Sequence, residues 1–230
     1  MAAQPADLGK RVAEREAETM EARSRYLYRQ TVHIEELSER GARVGEYREV
    51  REVIFLPNGE RTERTAGKPV HTLVRLRLTE EDFQDIRDVQ PFLFTPDRRW
   101  MYETKARGEE QMDGVDCWVL AVRPRQTFAG QRLFQGLLWV DKADYSVVRS
   151  EGVAVPQILS TRQENLFPRF TTVRVKVDGK FRFPAYTFSD DTLPFRTGPL
   201  RQRMTIRYEG YRRFSAESTV TFEEGQPEGR

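Results

Sequence analysis

Apolar positions recur at every second residue over most of this chain. Tyr26, Tyr28, Val32 and Ile34 alternate with Leu27, Arg29, Thr31, His33 and Glu35, which is the signature of a strand with one buried face. Val44 to Leu56 repeats the pattern, and Pro57-Asn58-Gly59 predicts a hairpin turn after it. Charged Glu60 to Thr65 and then Val70 to Leu78 complete a predicted meander. The clearest hairpin is Leu133 to Val153. Its first arm is apolar except for Gln135 and Gly136, and its second alternates from Tyr145 onward. Between the arms, Asp141-Lys142-Ala143-Asp144 predicts a polar connection in which Asp141 bonds the backbone two residues on. Further strands are predicted at Trp100 to Lys105, Asp116 to Val122, Phe170 to Val177 and Phe181 to Phe188. Met204, Ile206 and Tyr208 lead into Tyr211 and Phe214, and Val220 and Phe222 end the last predicted strand. Pro156 to Pro168 and Asp190 to Leu200 read as irregular segments because of their prolines.

Two stretches carry helical signals instead. Asp7 to Arg23 is rich in Ala, Glu and Arg with Asp7 as N-cap, but its apolar face offers little beyond Leu8, Val12 and Met20. It suits a surface helix or a lid. Thr79-Glu80-Glu81-Asp82 opens a second helix, whose Phe83, Ile86 and Val89 mark one face before Pro91. The pattern therefore predicts a mainly β (α+β) protein: a large antiparallel sheet of about eleven strands curled into an open or closed barrel with covering helices. One domain is expected over residues 1–230, with a polar tail from Glu223.

Parity sharpens this picture. Trp100, Tyr102, Trp118, Leu120, Val122, Phe134, Leu138 and Val140 all fall on even positions, as side chains facing a common interior would. With Met204, Ile206 and Tyr208 they form the candidate lining of that interior, and Phe83, Ile86 and Val89 form its candidate lid. A filled core and a ligand-holding cavity remain the two alternatives. Barrels of more than about eight strands tend to enclose space.

Composition limits the function classes. The net charge is only +2, and Lys and Arg interleave with Asp and Glu along the chain, which argues against nucleic acid as the main partner. No apolar run approaches the roughly 18 residues that span a bilayer, and Met1-Ala-Ala-Gln-Pro shows no signal-peptide pattern. The single Cys117 reads as a small buried hydrophobe. No phosphate loop, nucleophile elbow or H-E-x-x-H motif is present. His33 and His71 read as unrelated strand residues, Asp141 and Asp144 as turn residues, and Asp190-Asp191 as a loop pair. No catalytic residue, metal ligand or cofactor is expected, and the chain is read as a binding protein and not an enzyme.

The residues Phe134-Gln135-Gly136-Leu137-Leu138-Trp139-Val140-Asp141, then Tyr145 to Gly152, preceded by Gly114 to Leu120, carry a family resemblance. So does the late Ile206-Arg207-Tyr208-Glu209-Gly210-Tyr211-Arg212-Arg213-Phe214. The pattern resembles the lipoprotein-localisation carriers LolA and LolB, the mycobacterial lipoprotein LppX and the N-terminal domain of the regulator RseB, over about Asp7 to Phe222. The resemblance implies an unclosed barrel whose apolar face is covered by helices and receives lipid or lipoprotein acyl chains. It also implies a periplasmic location, with Met1 replacing a removed signal peptide, and a membrane-associated protein partner. The basic pI and the charged meander at Glu46 to Arg64 depart from those carriers. The alternative function is a structural or protein-interaction module with a filled interior.

Overall fold

Each strong alternation becomes a strand, and all the pairings are antiparallel, in a computed structural model that describes residues 5–56, 61–89, 91, 94–127, 132–159 and 164–213. After helix α1 (Leu8–Arg23) the strands are β1 (Tyr26–Leu37), β2 (Arg43–Phe55), β3 (Arg61–Thr65) and the two-residue β4 (Val70–His71). Helix α2 (Glu80–Gln84) runs into a π-helical turn at Asp85–Val89. Then come a 3-10 turn (Arg99–Met101), β5 (Tyr102–Met112), β6 (Val115–Pro124), β7 (Leu133–Asp141) and β8 (Val147–Val155). A small ribbon, β9 (Ile158–Leu159) and β10 (Glu164–Asn165), precedes β11 (Phe170–Val177), β12 (Phe181–Leu193) and β13 (Leu200–Arg213).

The large sheet has eleven strands in the order β3-β2-β1-β13-β12-β11-β8-β7-β6-β5, with β4 also on β2. The terminal strands β3 and β5 do not pair with each other, so the barrel is open. Its inner face is apolar on both flanks. On one flank β6 and β7 place Trp118 opposite Val140 and Leu120 opposite Leu138. On the other, β1 and β13 place Val32 opposite Ile206 and Ile34 opposite Met204.

The turns follow their sequence chemistry. Asp141 Oδ1 accepts the Ala143 N–H at 2.8 Å and Asp144 Oδ1 accepts the Ser146 N–H at 3.0 Å, so both carboxylates serve the β7–β8 connection. Asp141 also holds Arg182 at 2.9 Å, tying this turn to the start of β12. At α2, the Asp82 carboxylate reaches back to accept the Thr79 N–H at 2.8 Å.

Several boundaries differ from the expectations. Trp100 is not on a strand but in the 3-10 turn before β5, where it is 62% exposed, so its parity with Tyr102 has no meaning. Only Val70 and His71 of the expected strand to Leu78 pair with β2. The backbone beyond is instead fastened by Glu36, whose carboxylate accepts the N–H groups of Val74, Arg75 and Leu76. β12 runs on to Leu193 because Asp190, Asp191 and Thr192 pair with β13, which shortens the expected loop. Tyr145 lies in the turn at φ 59° and not in β8. The turn at Pro57-Asn58-Gly59 and the strand residues Phe214, Val220 and Phe222 lie outside the described residues.

Gly136 and Gly152 face each other across β7 and β8, and the Phe134 ring lies over both. A β-carbon on Gly136 would sit 2.0 Å from the Glu151 carbonyl oxygen and 2.8 Å from Phe134. No rotamer change relieves a clash with backbone. Gly136→Ala is expected to destabilise the fold by about 2–3 kcal/mol or more through overpacking, read as a drop in the urea midpoint. An unchanged midpoint would show that the strand pair can part without cost.

Candidate functional site

The inner face is built from three groups of residues. The apolar flanks supply Tyr102, Trp118, Phe134, Leu138, Met204, Ile206 and Tyr208, which join one continuous cluster and are each at most 4% exposed. Tyr28, Val32, Ile34 and Tyr47 of the first hairpin complete the lining. The alternation of that hairpin was visible in the sequence, but nothing local connected it to the strands of the opposite flank.

Between the flanks the central strands add small or polar inner side chains, Ser150 and Ala154 on β8, Thr172 on β11, and Thr187 and Ser189 on β12, beside the larger Val147, Phe170 and Arg174. Thr172 and Thr187 bond each other at 2.9 Å. Ser150 Oγ, Ser189 Oγ and Gln202 Nε2 are buried with no hydrogen-bond partner among the described residues. Polar side chains thus form a patch in the middle of the inner face, between the two apolar walls and beside Phe170.

Two covers close it, and they are fastened differently. Helix α1 buries Leu8, Val12 and Ala13 and carries Glu16, both of whose carboxylate oxygens accept from Arg174 Nη1 at 2.8 Å. Both side chains are almost fully buried. The second cover is α2 with its π-helical turn. Ile86 is fully buried there, Phe83 packs against the cluster, and Asp85 pairs with Arg132 in a short buried contact. The Val89 side chain lies outside the described residues. A helix this short does not hold its shape alone. Its position rests on a few side chains, Ile86 contributing about 1.5–3 kcal/mol by burial.

Under Phe83 lies a polar network on β2. Tyr47 donates to Glu49 at 2.6 Å, Arg51 grips the same carboxylate at 2.6 Å, and the Arg51 guanidinium sits 5.4 Å from the Phe83 ring centre. Burial opposes ionisation of Glu49, but donors from Arg51, Tyr47 and Thr65 outweigh it and hold the carboxyl below its ordinary range.

Titratable groups here are poorly placed for nucleophilic work. Burial pushes the Cys117 thiol up to about 11 and the Tyr102 and Tyr208 hydroxyls up to about 12. His33 has a carboxylate neighbour. Its Nε2 lies 2.8 Å from Glu46 Oε2, where β1 meets β2, with Arg43 on the same carboxylate. His71 stacks edge-on against Tyr47. Among the described residues no group of three or more His, Cys, Asp or Glu side chains could hold a metal ion. No helix of the described residues is long and apolar enough to cross a membrane.

No family model matches the sequence, and no curated protein matches it. Among solved structures the chain is similar to a DUF1329 family protein from Desulfovibrio piger, with 16% identity over 94% of this chain and 96% of that one and a TM-score of 0.46. It is also similar to a LolA superfamily protein from Nitrosomonas europaea, at 13% identity over 90% and 94% of the two chains and a TM-score of 0.42. A third similar structure, from Vibrio parahaemolyticus, is described as an outer membrane lipoprotein-sorting protein domain. Its identity is 11%, over 91% of this chain and 95% of that one, with a TM-score of 0.43.

Two outcomes follow from the fastening of the covers. Arg174→Met is expected to cost about 3–5 kcal/mol by stranding the Glu16 charge, while Glu16→Leu together with Arg174→Met restores most of that loss. Denaturation of the three variants checks this, and an additive double variant would exclude direct coupling. Glu49 titrates lower in the fold than its ordinary value of 4.5, so its contribution to stability is complete above that pH and is lost as pH falls through the depressed value. Glu49→Gln should therefore flatten the acid limb of the stability profile, measured as melting temperature against pH, and leave its neutral limb sloping as before.

Proposed function

We propose that this chain is a periplasmic carrier or sensor that takes lipid or lipoprotein acyl chains onto its inner face, with α2 as the displaceable cover. The observation that carries the reading is the pair of apolar walls closed by separate helices and not by barrel closure. Lifting α2 would uncover Tyr47 on β2 and the apolar cluster that Ile86 and Phe83 join, without breaking a strand pairing. Each methylene buried there contributes about 0.8 kcal/mol, so a tail of about ten offsets the uncovering of Ile86 and Phe83 and the ordering of the ligand. The unpartnered Ser150, Ser189 and Gln202 atoms would lie beside the polar end of such a tail. The periplasm as the compartment rests on the sequence resemblance alone.

A second reading has its own observation. The lining side chains are already almost fully buried, and β5 offers an eleven-residue edge strand with mostly exposed side chains. An interaction module that pairs a partner's strand to that edge would use this feature and leave the interior untouched.

Titration with a fluorescent acyl probe, together with native mass spectrometry of gently purified protein, separates the two. The carrier reading expects co-purified lipid and probe affinity in the micromolar range or better. Leu138→Asp should weaken the probe by about tenfold or more, because it places an unpaired charge in the apolar wall. Ile86→Ala should speed uptake by loosening the cover. Absence of both lipid and probe binding in a folded protein would leave the interaction module in its place.

A further inference from the structure

The signs that interleave along the sequence do not stay interleaved in space. On the outer face of β5, β6 and β7, the residues opposite the lining stand side by side: Lys105 pairs with Ala121, Glu103 with Arg123, and Ala121 with Leu137. Together with the turn before β5 they enclose a groove of about 950 Å³. Its floor is small and apolar, from Ala121, Gly136 and Leu137, and its walls carry Arg99, Lys105, Arg107, Arg123 and Arg125.

Glu103 is the one acidic residue of this lining, and it is held by Arg123 at 2.6 Å. Arg99, Lys105 and Arg107 have no acidic partner among the described residues. With the neighbouring turn residues Asp97 and Arg98, six cations face two carboxylates, a local net of +4 on a chain whose total is +2. The rest of the chain therefore sums to a net negative charge, and this face concentrates the positive one.

At its rim the exposed turn of residues 96–100 ends on Trp100, 62% exposed, while Trp118 and Trp139 are 4% and 6% exposed. A large amphipathic ring beside arginines suits the boundary between water and lipid headgroups, where anionic lipid attracts basic residues. The groove also adjoins the covered end of the inner face. Tyr102 lines both, and its ring lies 5.8 Å from Phe94 in the interior cluster.

We propose that the outer face of β5–β7, with Trp100 at its rim, docks the protein onto an anionic phospholipid surface, seating phosphate-bearing headgroups among Arg99, Lys105, Arg107 and Arg125. Docked this way, the end of the inner face marked by Tyr102 and Phe94 lies next to the bilayer. The proposal goes beyond acyl-chain carriage and does not require it.

Flotation of the full chain with phosphatidylcholine vesicles, with and without phosphatidylglycerol, tests it. The protein should float with the anionic vesicles only and be released at high salt. R99E together with R107E should weaken flotation by about tenfold or more, and W100A should reduce it at fixed charge. Tryptophan emission should shift to the blue on anionic vesicles, and W100F should abolish the shift because the other two indoles are buried. Equal flotation of wild type and R99E/R107E, or no flotation of folded wild type, overturns the proposal. Retention by an acidic peptide or single-stranded DNA without vesicle binding also overturns it and assigns the groove to a polyanionic macromolecule. The acyl-probe titration reads the inner face separately, so failure of one assay leaves the other interpretable.

Discussion

An apolar sheet face that does not close on itself must be covered by something else. Here β3 and β5 stay apart, and eight of the eleven strands contribute to a continuous apolar cluster on one side. A closed barrel would enclose such a face within its own wall. In this molecule the task falls to α1, to α2 with its π-helical turn, and to the irregular backbone that Glu36 ties down through residues 74–76. The burial of every inner side chain thus depends on segments that are not part of the sheet.

Those segments are unequal in strength. α1 has sixteen residues, buries three apolar side chains and is fixed to the middle of the sheet through Glu16 and Arg174. A buried pair of this kind is only a modest source of net stability, because desolvation of both ions consumes most of the attraction. Its effect is specific: with Glu16 committed to Arg174, α1 has one register across the inner face. α2 has no equivalent length, and its Asp85–Arg132 contact ties it to the start of β7 and not to the sheet centre. A short cover beside a well-anchored frame has low local stability.

The two faces of β5–β7 do different physical work with the same strands. Trp118, Leu138 and Val140 look inward, and Lys105 and Arg123 look outward one residue away. Such a strand couples an apolar interior to a charged exterior over the thickness of a single sheet. Glycines at 136 and 152 leave room for the Phe134 ring to pack over the strand pair.

What the sequence determined by itself was local. Period-two alternation, the Asp141 turn and the Thr79–Asp82 capping box were legible because each depends on residues within a few positions of one another. Trp100 shows the limit: parity is meaningful only within one strand, and its strand begins two residues later, at Tyr102. The tertiary structure alone decided that Glu16 meets Arg174, 158 residues away, and that the first hairpin forms a wall opposite β6 and β7. It also gathered cations that alternate with acids along the chain into one groove. Those pairings depend on strand order and on the path of the backbone between elements, and no short-range pattern of residues encodes either.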